Sequence, residues 1–293
     1  MKQVKKAIIP VAGYGTRLLP ETKALPKPMY PVLNKPSVQY IIQEAVDSGI
    51  EEVILIVGQH KEILKAHFSP APELEEVLKR GGKQAFYDSV VYPQNMCKIT
   101  YIEQTEQLGT GHAVLIAKDI IGDEPCAVLF GDDVMSNHGG KPVLRQLIDS
   151  YEKRDQTVIA VKNVGFELVY KYASVEFKAQ SGREYDVTKI TEKPAQGTAK
   201  SDLSPLGRYV LKEGFFDILK NTPKSANGEY QLTDALDAEA KTRGLIAYNF
   251  EGSRYDMGDV FGCLQANVET ALGTPELKEK VKEYLKNLNL DKF

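Results

Sequence analysis

The chain has 293 residues, 42% of them hydrophobic and 26% charged, which is ordinary for a globular protein with a substantial core. A net charge of −3 excludes nucleic-acid binding through a broad basic surface, and three cysteines without a Cys-x-x-Cys spacing argue against a disulfide framework or a structural zinc site. No apolar run approaches the roughly 18 residues of a membrane span, and the basic N-terminus leads into an apolar segment too short for a signal peptide, so a cytoplasmic protein is expected.

The first element is an apolar strand, Ala7 to Val11, broken at Ala12-Gly13. Gly13 and Gly15 let the backbone approach a ligand and turn N–H groups toward it without interference from a Cβ. Thr16 follows, and Arg17, Lys23 and Lys27 set three positive charges against Glu21 in a loop stiffened by Pro20, Pro26 and Pro28. That composition describes a cradle for an anion, best a polyphosphate. The spacing is not that of a dinucleotide fingerprint, because Leu18 stands where a third glycine would, and no P-loop occurs anywhere in the chain.

Ser37 is expected to cap a helix that runs through Val46 and stops near Gly49. Val53 to Val57 reads as a strand buried on both faces, residues 61–80 as two charged helices broken at Pro70 and Pro72, and 80–95 as irregular to helical. Lys98 to Glu103 is the next strand. The Gly109-Thr110-Gly111-His112 turn then opens a helix through Ala117, with His112 expected to pack rather than catalyse. Ala127 to Phe130 is a buried strand, 142–153 a helix and Val158 to Val161 a strand. From about 165 the texture turns β-rich, with strands at Ser174–Phe177 and Val187–Thr191 around a Gln180–Arg183 turn. Helices are expected at 212–219, 231–242, 257–272 and 275–288. Alternating strands and helices of this kind imply an α/β fold, a Rossmann-like, doubly wound, largely parallel mixed sheet flanked by helices. A single unit is expected, with a first half over 1–164, a smaller β-rich half over 165–272 and a C-terminal helix over 273–293.

Three acidic clusters carry candidate chemistry. Gly131-Asp132-Asp133 follows a buried strand, at the edge of the sheet where open α/β folds bind ligands, and carboxylates there suit Mg²⁺. Turn-capping aspartates are an equally common use of such a sequence. Tyr255-Asp256-Met257-Gly258-Asp259 is a second acid–glycine turn, by itself more often a helix cap. Glu192-Lys193-Pro194 pairs a carboxylate suited to sugar hydroxyls with an ammonium suited to a phosphate, although a lone Glu-Lys pair is usually a surface ion pair. Gln104 offers an amide that donates and accepts at once.

The run Ala12-Gly-x-Gly-Thr-Arg-x-Leu-Pro-x-Thr-Lys-x-x-Pro-Lys27 resembles the signature of the sugar-nucleotide pyrophosphorylases, and its Ala-Gly opening looks most like the bacterial UTP–glucose-1-phosphate uridylyltransferase branch. The resemblance extends almost to the C-terminus. It implies transfer of a nucleotidyl group from UTP to glucose-1-phosphate, Mg²⁺ as cofactor on Asp132 and Asp256, and assembly as a homodimer or homotetramer. It also implies roles for Arg17 at the nucleotide phosphates, Lys27 at the α-phosphate or leaving pyrophosphate, and Lys193 with Glu192 at the sugar phosphate. Ala12, Gly13, Gly15, Thr16 and Lys23 would complete the cradle, and Gln104 and Gly109 the base pocket, where the glutamine amide suits the paired carbonyl and imide N–H of uracil. Gly207 would leave room for the hexose, with Asp133 a further substrate-binding residue and a weaker candidate than Asp132 for the metal. The half over 1–164 would bind the nucleotide and the half over 165–272 the sugar. Two departures stand out: Pro28 where many members carry a glutamate tied to base recognition, and Tyr172-Ala173 where Tyr-Gly is usual. The readings set against this one are a thymidylyltransferase on the same scaffold, a non-catalytic nucleotide-sugar-binding regulator and a Rossmann-type oxidoreductase. The last is disfavoured by the glycine spacing.

Overall fold

The computed structural model describes residues 2–58, 61–225 and 228–292. In chain order, β1 (Lys6–Pro10) leads into three short 3-10 turns, Thr16–Leu18, Glu21–Lys23 and Lys27–Met29. A small hairpin of β2 (Pro31–Val32) and β3 (Lys35–Pro36) then runs into α1 (Ser37–Asp47). β4 (Glu52–Val57), α2 (Lys61–His67), α3 (Pro72–Arg80), α4 (Gln84–Val91), β5 (Lys98–Glu103), α5 (Thr110–Leu115), α6 (Lys118–Ile121) and β6 (Cys126–Leu129) complete the parallel part of the molecule. After β7 (Asp133–Ser136), α7 (Val143–Arg154) and β8 (Thr157–Asn163) comes the β-rich stretch of β9 (Ala173–Ser181), β10 (Glu184–Glu192) and β11 (Leu203–Leu211). α8 (Phe215–Asn221), α9 (Leu232–Thr242), β12 (Leu245–Asn249), β13 (Ser253–Asp256), α10 (Val260–Gly273) and α11 (Pro275–Asn287) close the chain.

Nine strands form one sheet in the order β5-β4-β1-β6-β11-β8-β12-β10-β9. β5, β4, β1 and β6 are parallel, as are β8 and β12; β11 runs antiparallel to both its neighbours, and β9–β10 is a hairpin on the far edge. Because side chains alternate along a strand, consecutive apolar residues feed two cores. Ala7 and Ile9 face α1 and α7 through Val38, Ile41, Ile42, Leu144 and Leu147. Ile8, Ile54 and Val128 face α5, α8 and α9 through Val114, Phe215, Phe216, Leu232 and Leu236. Continuous apolar strands such as Val53–Val57 therefore have no polar face, and helices cover both sides.

The structure differs from the sequence expectation at several boundaries. Ser37 is the first residue of α1 rather than its cap: Pro36 precedes the helix, and the Ser37 hydroxyl donates to the Pro28 carbonyl at 3.1 Å, tying the helix to the basic loop. Gly214, with φ 78°, holds the chain out of helical geometry until Phe215, so α8 starts later than the apolar pattern suggests. α10 begins at Val260, and the capping acid is Asp259, whose carboxylate accepts from the Gly262 N–H at 3.0 Å. The two-stranded ribbon of β7 and β13, which pairs Asp133 with Asp256, was not anticipated. Cys97, Cys126 and Cys263 are all free. α11 buries none of its residues, and Tyr284 and Leu285 stay exposed. Among the described residues no helix is long and apolar enough to cross a membrane.

Candidate active site

β1, β4, β5 and β6 are parallel and end at the same edge of the sheet, so the residues just beyond them share one neighbourhood: Ala12-Gly13, Gly58, Gln104 and Gly131-Asp132. Two of these contacts demand glycine. A Cβ on Gly131 would lie 2.6 Å from the Pro10 carbonyl oxygen, and one on Gly58 would lie 2.9 Å from that of Ala12. The chain therefore converges there more tightly than side chains allow. A cleft of about 500 Å³ opens at this edge, and Ala12, Gly13, Arg17, Lys27, Gln104 and Asp132 are among its walls.

The basic loop reaches the cleft because it is cinched. Gly15 takes φ 66°, and its carbonyl accepts from the Thr22 hydroxyl at 2.9 Å and from the Leu18 N–H at 2.9 Å. The loop thereby delivers Lys27, which donates to Asp132 Oδ2 at 2.8 Å. Arg17 reaches over from the solvent side, with Nη2 3.8 Å from Asp132 Oδ2 and Nη1 3.7 Å from Asp256 Oδ2. Gly258 makes this possible, since a Cβ there would sit 2.5 Å from Arg17 Nη2. Lys23 is exposed on the loop and, like Gly15 and Thr16, is not part of the cleft wall.

Asp132 and Asp256 come from distant parts of the chain and are brought together by the β7–β13 ribbon and by the Met257 N–H, which donates to the Asp132 carbonyl at 2.7 Å. Burial works against charge on Asp132, but Lys27, then Arg254 and Arg17, outweigh it and hold the carboxyl below its usual range. Among the described residues no cluster of three or more His, Cys, Asp or Glu is built to hold a metal. Two carboxylates at the mouth of a basic cleft fit Mg²⁺, which takes one or two protein oxygens and fills its shell with phosphate and water.

Asp133 has a different place. It is 2% exposed, its Oδ1 accepts from Arg254 Nε at 2.6 Å, and its Oδ2 fills the space that a side chain at Gly207 would need. The room that Gly207 leaves is thus taken by a carboxylate of the same chain. Burial, with help from the neighbouring Asp132 and Asp256 and against Arg254 and Arg208, pushes the Asp133 carboxyl up to about 6.

Also in the cleft wall, Gln104 has its amide nitrogen 3.1 Å from His112 Nδ1, so His112 orients the glutamine from the first turn of α5. Gly109, at φ 97°, approaches the Tyr230 carbonyl, and the Gly111 N–H donates to that same oxygen at 2.8 Å. On the opposite side Lys193 forms part of the cleft wall with φ 39°, an unusual conformation for lysine, secured by its N–H donating to the Tyr172 carbonyl at 2.9 Å. Its neighbour Glu192 accepts from the Thr233 hydroxyl at 2.8 Å.

Arg254 did not emerge from the sequence as a site residue. For Arg254 the signal was present: Arg254 and Asp256 are two apart, which on a strand puts both side chains on one face. Without knowledge of the strand, the arginine reads as an ordinary surface charge.

The "Nucleotidyl transferase" family model matches residues 6–272. Over 290 residues the chain is 43% identical to the UTP–glucose-1-phosphate uridylyltransferase of Staphylococcus epidermidis, covering 99% of this chain and 100% of that protein. The structure of UTP-bound UGPase from Acinetobacter baumannii superposes with a TM-score of 0.91 at 33% identity, covering 98% of this chain and 100% of that one. A UDP-glucose pyrophosphorylase solved with UDP-glucose gives a TM-score of 0.83 at 36% identity, with 92% and 98% covered. The chain belongs to the nucleotidyl transferase family.

Proposed function

We propose that this enzyme transfers the uridylyl group of UTP to glucose-1-phosphate, giving UDP-glucose and pyrophosphate. The observation that carries the reading is convergence: Arg17 and Lys27 from the glycine-opened loop meet Asp132, more than 100 residues away, in the wall of a single cleft, and Arg17 also lies 3.7 Å from Asp256. A phosphate oxygen of the sugar phosphate attacks the α-phosphorus, and the bond from that phosphorus to the bridging oxygen of the departing pyrophosphate breaks in line. The attacking phosphate is largely ionised at neutral pH, so no general base is required. What the protein must supply is position and compensation of charge.

Arg17 and Lys27 serve the nucleotide phosphates, Lys193 the sugar phosphate, Glu192 the hexose hydroxyls, and Gln104, held by His112, the base. Asp132 and Asp256 would hold Mg²⁺, which when bound neutralises phosphate charge and polarises the reacting phosphoryl group. Lys27 is already 2.8 Å from Asp132 in this structure, so the same ammonium is placed to follow charge as it develops on the phosphates. In this reading the first half of the chain handles the nucleotide and the second half the sugar. Self-association as a dimer or tetramer belongs to it too, supported by exposed Val260, Phe261, Leu264 and Tyr284 on the last two helices and testable by light scattering.

Pyrophosphate release, measured across UTP, dTTP, CTP and GTP with glucose-1-phosphate or galactose-1-phosphate, with Mg²⁺ or with chelator, tests the proposal. Preference for UTP with glucose-1-phosphate and silence under chelation are expected. The dTTP arm matters because Pro28 lines the same cleft. A preference for dTTP would reassign the base, and no release with any pair would reject transferase activity.

A further inference from the structure

Asp256 is held from two sides. Its Oδ1 accepts from the Gly258 N–H at 2.8 Å, within its own turn. Its Oδ2 stands between Arg17, 62% exposed on the cleft side, and Arg254, 18% exposed on the inner side with Nη2 at 3.4 Å. Arg254 is itself anchored. Its Nε donates to the buried Asp133 at 2.6 Å, and its guanidinium lies 5.8 Å from the centre of the Tyr172 ring. Asp133 cannot easily yield, because its other oxygen is packed on Gly207. The Asp133 carbonyl also accepts from the fully buried Arg208 at 2.7 Å.

We infer that Arg254 is a positioning residue for the metal-binding acids: locked by Asp133, it fixes the orientation in which Asp256 presents Oδ2 to the divalent cation. The inference rests on the proposed function for the metal's presence. It goes further in saying which side chain sets the geometry. Charge alone does not explain the arrangement, since Asp133 already balances Arg254, and the pair adds little net field at the metal. What the guanidinium supplies is a rigid fork that reaches two carboxylates at once, and an ammonium cannot reproduce that. Through the Tyr172 ring the same residue touches the segment whose carbonyl secures Lys193, so metal geometry and the sugar-phosphate lysine share one support.

The test is Mn²⁺ uptake, read as loss of the free-ion electron paramagnetic resonance signal, on the full chain with and without saturating UTP. Arg254→Lys keeps the charge and loses the fork. It is expected to weaken Mn²⁺ binding by roughly 10–100-fold, the scale for losing a group that orients a metal ligand. Turnover should recover as Mg²⁺ is raised, with little change in the UTP KM. Asp133→Asn provides a second route. It frees Arg254 to pair with Asp256 alone, so Mn²⁺ binding should weaken again. Thermal unfolding of each variant reports whether the fold is intact. Unchanged or tighter Mn²⁺ binding in both variants, with only a lowered Tm, would overturn the inference and leave Arg254 a structural residue. Wild-type protein that takes up no Mn²⁺ even with UTP would instead overturn the metal assignment itself, and this inference with it.

Discussion

Gly207→Ala perturbs the packing around Asp133, and its cost follows from two separable terms. The backbone at Gly207 has φ 57°, where a Cβ meets the following carbonyl and costs about 1–2 kcal/mol. The new methyl would also lie 2.0 Å from Asp133 Oδ2 and 3.0 Å from its Cβ. Asp133 is pinned by Arg254 and buried, so the collision adds about 1–3 kcal/mol, the range for an overpacked interior. The sum, about 2–5 kcal/mol, corresponds to a Tm lower by roughly 3–8 °C for a chain of this size. Gly182→Ala is the matched control: φ is 60°, but nothing lies within 4 Å of its Cβ position, so only the backbone term applies. Thermal and denaturant unfolding of the two variants side by side isolates the collision. Equal losses for both would refute the reasoning, because they would mean that Asp133 moves aside freely.

Lys27→Ala and Asp132→Ala should each lower kcat by at least about 10²-fold, the scale for one missing electrostatic contact in a transition state, and near wild-type turnover in steady-state assays would remove either residue from the mechanism. Asp133 has a carboxyl raised from 3.8 to about 6 in the fold, so its contribution to stability is complete below the lower value and is lost as pH rises through the upper one. Wild type should therefore lose stability relative to Asp133→Asn as pH rises across that window, and a flat difference in denaturant titrations would contradict the shift. Glu44→Gln breaks a buried pair in which Glu44 Oε2 accepts from Arg208 at 2.7 and 3.1 Å, and should cost about 3–5 kcal/mol in unfolding experiments. A cost below about 1 kcal/mol would mean the pair behaves as if water reached it.

The parts of the fold that were legible in the sequence are those whose period is unambiguous. The strands at residues 7–11, 53–57 and 98–103 are continuous apolar or β-rich runs bounded by turn residues, and the basic glycine loop is local in sequence, so its ingredients stand side by side. The β7–β13 ribbon was not legible, because each strand is only four residues long and its partner lies more than 100 residues away. That ribbon decides which aspartate faces the cleft. The sequence offers Asp132 and Asp133 as near equivalents, and only the pairing of Asp133 with Asp256 sends one carboxylate into the interior beside Arg254. The room expected at Gly207 shows the same limit: a glycine in a strand signals a close approach, but nothing local says that the Asp133 carboxylate is what approaches it.

β11 lies between β6 and β8, antiparallel to each, although it comes after both in the chain. A segment beginning beyond residue 200 is therefore the seam joining β6, the strand that leads into Asp132, to β8 and the strands beyond it. Cutting the gene between 164 and 165 would leave the earlier fragment with β6 as a raw edge and the later one without the strands β11 needs on either side. On the proposed division of nucleotide and sugar between the halves, the two specificities cannot be swapped between relatives as cassettes at that point. A chimaera that respects the hydrogen bonding would have to carry β11 along with the first half, so exchange of sugar preference is better sought residue by residue around Tyr172 and Glu192 than by trading whole halves.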